Sequence, residues 1–208
     1  MRLPILESLP FAEPGAKQEF FKMAYVWRGM LAAVPILTAA VSTWNLDLDP
    51  RRTWIPGVAL IAAGWALRMW AQSHLGYRLR ARKTFVGCGP YAWVRNPIYI
   101  ANTAMIVGTV MACGTLWLAP IALAWCAVLY SGVVRHEERI LSHNYGQPYV
   151  DYLSEGSRWI PHRAGEAGLR AQACPHRRLG SAIVAELHTP LILTPALLKF
   201  LILRLALA

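Results

Sequence analysis

Arg95, Glu137, Glu138 and a set of tyrosines are the residues of this chain best suited to hold a polar ligand. Arg95 stands in the run Tyr91-Ala92-Trp93-Val94-Arg95-Asn96-Pro97-Ile98-Tyr99, and the two glutamates follow Arg135-His136. Downstream come Tyr145-Gly146-Gln147-Pro148-Tyr149-Val150-Asp151-Tyr152 and Arg158-Trp159-Ile160-Pro161. A guanidinium can clamp a carboxylate, and a glutamate can hold an ammonium or a ribose diol. The helix start at Pro97 adds free backbone N–H groups and a partial positive charge. Together they suit a zwitterionic ligand that carries hydroxyls. Neighbouring helical residues point about 100° apart, so Glu137 and Glu138 cannot both aim at one point.

Other chemistries fail on spacing. His136-Glu137-Glu138-Arg139-Ile140 is not a zinc-binding HExxH, because Ile140 stands where the second ligand is needed. Gly87-Cys88-Gly89-Pro90-Tyr91-Ala92 fits a loose GxGxxA, but it holds a proline and follows no strand, which excludes a dinucleotide fingerprint. The four cysteines form no CxxC pair, so no metal site is expected.

The elements that must position these groups are apolar spans. Of the 208 residues, 56% are hydrophobic and 15% charged, with mean hydropathy +0.34. Soluble domains run at about 45–50% and about 25%. Residues 97–134 carry no charge at all. Four membrane helices are expected, at about Met23–Thr43, Trp54–Ser73, Pro97–Cys113 and Thr115–Val134; some twenty residues cross the roughly 30 Å hydrocarbon layer. Asn96-Pro97 reads as an N-cap and first helical position. Ala104, Gly108 and Ala112 repeat at every fourth position and let a neighbouring helix come close. Gly114 turns the chain, so spans three and four are expected to form a tight hairpin with Arg95 and the glutamates at one end. The fourth helix should run on to about Tyr145, where Gly146 and Pro148 stop it.

Net charge is +10. Basic residues cluster beside the spans, at Arg78–Lys83 and after the hairpin, which reads as membrane topology and lipid attraction rather than nucleic-acid binding. The positive-inside rule puts the second and fourth loops and both chain ends in the cytoplasm; in a bacterium the membrane would be the inner one. Arg68 is expected to snorkel. Residues 1–22 read as an interfacial lead-in without a removable signal peptide, and residues 162–180 as a basic linker. Ser181–Ala208 is apolar but holds Glu186, His188, two prolines, Lys199 and Arg204, so an interfacial or re-entrant helix is expected there. Three regions follow: 1–74, 75–161 and 162–208.

In order, Gly-Pro-Tyr, Arg95-x-Pro97-x-Tyr99 before an apolar hairpin, Glu137-Glu138, Gly-x-x-Tyr149-x-x-Tyr152 and Arg158-x-Ile-Pro161 resemble the isoprenylcysteine carboxyl methyltransferase and phospholipid methyltransferase superfamily, over about residues 75–161. The resemblance implies an all-α integral membrane enzyme with S-adenosyl-L-methionine in a cytoplasmic pocket and a lipid-like acceptor arriving from the bilayer. It implies cofactor contacts at Tyr91, Arg95, Asn96, Pro97, Tyr99, His136, Glu137, Glu138, Tyr149 and Tyr152, with Glu137, Glu138 and Arg158 as catalytic candidates. Where that superfamily has Arg-His-Pro, this chain has Arg95-Asn96-Pro97, so no imidazole is available there for proton transfer. Two rival readings are an NADPH-dependent membrane reductase and a non-catalytic membrane protein. The glutamate pair argues against a polyanionic cofactor, and the charge-free hairpin against transport.

Overall fold

The computed structural model describes residues 15–47, 49–75, 85–161 and 179–207. The expected lead-in before residue 15, the basic run Arg78–Lys83 and most of the linker at 162–180 lie outside the described residues. The chain is all-helical, with no strand among the described residues. Helices α1 (Gly15–Val41), α2 (Trp54–Leu75), α3 (Pro97–Ala112) and α4 (Ala119–Tyr145) form the bundle. Short α5 (Gln147–Glu155) follows α4, and α6 (Leu179–Glu186), a 3-10 turn at Thr189–Leu193 and α7 (Thr194–Leu207) complete it.

Local chemistry sets the boundaries. Pro97 opens α3, where its missing N–H costs nothing. Asn96 occupies the N-cap position, but its side chain makes no capping bond; its carbonyl accepts from the amides of Tyr99 and Ile100. The turn after α3 needs Gly114 at φ +76°, and a Cβ there would lie 2.9 Å from the Asp47 carbonyl oxygen. Asp47 N–H also donates to Gly114 O at 2.9 Å, tying the two loops of this end together. Gly146, at φ +66°, ends α4 where expected and starts α5.

The close helix pair is not the one expected. α3 packs most extensively on α2, and α4 on α1. A Cβ on Gly57 would sit 2.7 Å from Gly108 O, and one on Gly64 2.7 Å from Ala101 O. The small-residue stripe of α3 therefore meets the glycines of α2, with backbones nearly touching. α3 and α4 instead stand apart enough to leave an apolar cavity of about 560 Å³ between them, lined by Ile100, Ala104, Val107, Leu123, Cys126 and Trp159 among others.

The fold is that of an all-α integral membrane protein. Four segments are long and apolar enough to cross a bilayer: Phe21–Val41, Trp54–Leu75, Leu116–Tyr145 and Ala182–Leu203. α3 has 16 residues. At 1.5 Å each it is about 24 Å long, short of the roughly 30 Å layer. It is sheltered in the bundle and buries Ala101, Met105, Val110 and Ala112.

Two expectations change at the C-terminal segment. Two of the polar residues that argued for an interfacial or re-entrant helix, Glu186 and Lys199, are paired inside the bundle. Glu186, 1% exposed, meets Arg68 Nε at 2.6 Å, so Arg68 points inward and does not snorkel. Lys199 donates to Ala39 O at 2.7 Å and Ser42 O at 2.6 Å, satisfying carbonyls at the end of α1. That end is remote from Glu137, whereas Phe21 near the start of α1 lies under Arg135 and Arg139 beside it. Phe200 packs edge-on against Trp54, with ring centroids 5.5 Å apart. α7 thus runs toward the end of the bundle opposite Glu137.

Candidate functional site

Where α3 begins and α4 ends, the chain folds back over itself. Tyr152 on α5 donates its hydroxyl to the Tyr91 carbonyl at 2.7 Å. Arg95 N–H donates to Ser157 O at 2.9 Å, and Arg95 Nη1 donates to Leu153 O. Gly156 permits the approach, since a Cβ there would lie 3.0 Å from Arg95 Cγ. The residues after α4 therefore roof the mouth between α3 and α4.

Glu138 fastens this roof. It is 1% exposed, with Arg95 Nη2 at 3.2 Å from Oε1 and Arg158 Nη2 at 2.6 Å from Oε2. Two guanidiniums on one buried carboxylate form a charge-assisted strut. Glu137, one residue earlier, is free of these guanidiniums; it lines the same cavity of about 450 Å³ as Glu138, and its carboxylate is hydrogen-bonded with the Tyr99 hydroxyl. The size is ordinary for a small-molecule site.

Tyr91, Arg95, Asn96, Pro97, Tyr99, Glu137, Glu138, Tyr149 and Tyr152 all line this cavity. His136 and Arg158 do not. The His136 ring packs 5.1 Å from the Tyr25 ring, and Arg158 acts on Glu138. Arg95 is placed differently from a free carboxylate clamp, because both Nη atoms are engaged. Sequence reasoning missed Tyr25, Phe85, Leu141, Asn144 and Tyr145. Leu141 and Asn144 follow Glu137 by four and seven residues, so helical spacing could have found them.

The walls divide by chemistry. Phe85 packs against Tyr145, Tyr149 and Tyr152 with centroids 5.9, 5.2 and 5.1 Å away, giving an aromatic face. The same cavity holds donors with nothing to donate to: Tyr91 Oη, Asn96 Nδ2 and Arg95 Nε are buried without a hydrogen-bond partner among the described residues. Unpaired buried donors are costly, so such a cluster implies a ligand bearing acceptors. Burial first, then Tyr152 and Glu137, pushes the Tyr91 phenol well above its ordinary range. Burial likewise raises Tyr149 and Tyr152, so these hydroxyls stay protonated as donors.

The phospholipid methyltransferase family model matches residues 53–148, from the start of α2 into α5. The match agrees with the motif resemblance from Gly89-Pro90-Tyr91 through Glu137-Glu138, and ends before Tyr149, Tyr152 and Arg158. Similar proteins include the nickel-cobalt-cadmium resistance protein NccN of Alcaligenes xylosoxydans xylosoxydans, 28% identical over 146 residues, which are 65% of this chain and 63% of that protein. Another is the cobalt-zinc-cadmium resistance protein CzcN of Cupriavidus metallidurans, 27% identical over 50% of this chain and 46% of its own length. The chain thus spans less than two thirds of the curated relatives it matches. No solved structure matches.

Proposed function

We propose that the protein is a membrane methyltransferase that binds S-adenosyl-L-methionine in the cavity at Glu137 and methylates a lipid-like or small hydrophobic acceptor. The observation that carries this is the pairing, in one cavity built largely from the matched segment, of a carboxylate with unpartnered buried donors and an aromatic wall. The residues fit the cofactor. Glu137 would hold its ammonium or ribose diol, the Tyr91 hydroxyl and Asn96 amide would donate to its carboxylate or ring nitrogens, and the Phe85–Tyr149 face would take the adenine.

S-adenosylmethionine supplies a methyl group already activated on a sulfonium. The protein's own tasks are then to align the acceptor and exclude water. The Glu138 strut keeps α5 and the Ser157–Arg158 segment closed over the cavity. The apolar space between α3 and α4 suits a hydrocarbon chain entering from the bilayer, with Trp159 beside it. An acceptor carboxylate needs no base, whereas an amine or thiol must lose a proton. Glu137 is the carboxylate in the cavity wall able to take it.

The test is methyl transfer itself. Purified protein in lipid nanodiscs is given methyl-tritiated S-adenosylmethionine and, in turn, a bacterial lipid extract, prenylated cysteine and long-chain thiols. Label in an organic-soluble product, lost in Glu137→Gln, supports the reading. No transfer to any acceptor, together with no cofactor binding, would sink it.

A further inference from the structure

A second polar cavity lies deeper in the bundle, on the other side of the Tyr99–Tyr130 ring pair, whose centroids are 4.9 Å apart. It is a cleft of about 320 Å³ among α1, α3, α4 and the Thr189–Leu193 turn. Arg68 anchors it, seven residues before the end of α2, or about 10 Å down the helix. An ionisable group held that far inside a membrane bundle marks a function more often than a scaffold.

The hydrogen bonds are lopsided. Arg68 spends Nε on Glu186 at 2.6 Å and Nη1 on Asn102 Oδ1. Thr189 Oγ1 donates to the same Glu186 oxygen at 2.5 Å. The Asn102 amide hydrogen-bonds the Tyr130 oxygen, which leaves the phenolic proton for another acceptor. Glu186 Oε2 and Asn102 Oδ1 are thus taken within the cluster, while Arg68 Nη2 and the Tyr130 hydroxyl remain as donors among the described residues, with His188 also in the cleft wall. Arg28, shared with Glu137 of the first cavity, is a second cation close enough to act on the Tyr130 hydroxyl. The opposite wall is Gly29, Ala32, Ala33 and Ile36, one face of α1 with little side-chain bulk. A Cβ added at Gly29 would meet nothing within 4 Å.

We infer that this cleft binds a membrane lipid bearing an oxyanion, with the oxyanion on Arg68 and Tyr130 and an acyl chain along the small-residue face of α1. A phosphate or a carboxylate would serve. Glu186 and Thr189, which lie beyond the family-matched residues, complete the site, so it is a feature of the C-terminal segment and independent of the methyltransferase reading.

The protein in neutral phosphatidylcholine nanodiscs is labelled with diazirine-bearing phosphatidic acid, fatty acid or diacylglycerol, and labelled peptides are mapped. At least one anionic probe should label residues 29–36 and 188–192 about tenfold more than diacylglycerol, the worth of one charge-assisted hydrogen bond. Gly29→Leu, which fills the cleft, and Tyr130→Phe, which removes a donor, should each reduce that labelling while melting with the wild type. Equal labelling by diacylglycerol, or full labelling of Gly29→Leu, would overturn the site. Protection by inorganic phosphate as strong as by unlabelled lipid would assign the oxyanion to a soluble ion and overturn the lipid.

Discussion

At the residue scale, the two adjacent glutamates have different work. Glu138 is held by Arg95 and Arg158 with its carboxylate buried, whereas Glu137 faces the cavity with Tyr99. Glu137→Gln should therefore weaken S-adenosylhomocysteine binding about tenfold or more, with little change in melting temperature. Glu138→Ala strands two guanidiniums and should cost about 3 kcal/mol of stability, read as a lower melting temperature. Equal effects from both would contradict the division. That the pair must diverge was legible from helix geometry alone. What Arg95 grips was not, because its partners at Leu153 and Ser157 depend on how α5 folds back, and nothing local to Arg95 encodes that. Tyr91→Phe removes one unpartnered donor and should weaken cofactor binding without destabilising the fold, checked by calorimetry beside thermal melting.

At the element scale, the seam of α2 and α3 positions everything at the mouth of the cavity. A Cβ on Gly108 would lie 2.6 Å from the Gly57 carbonyl oxygen, which is backbone and cannot rotate away. Gly108→Ala should cost about 1–3 kcal/mol and lower the melting temperature, while Gly29→Ala, with open space around it, should not. The alanine and glycine spacing on α3 was visible in the sequence. Its partner was not: the glycines of α2 are seven apart and carry no signal until matched to α3. The segment 181–208 misled for a related reason. Each polar residue counts against a membrane span when taken alone, but Glu186 neutralises Arg68 and Lys199 closes the end of α1, so the cost is met by partners distant in sequence.

At the scale of the whole molecule, two hairpin-like pairs enclose a polar site at one end, and the C-terminal segment runs to the other. A reporter fused after residue 208 should therefore lie across the membrane from a cysteine placed at exposed His143. Labelling with a membrane-impermeant maleimide checks this, and same-side labelling would contradict the topology. The central claim is that the cavity at Glu137 is built for S-adenosylmethionine. Calorimetry of the purified protein with S-adenosylhomocysteine and, separately, with NADPH tests it most directly. Saturable one-to-one binding of S-adenosylhomocysteine, weakened by Glu137→Gln, and none of NADPH is the predicted result; binding of NADPH alone would contradict it.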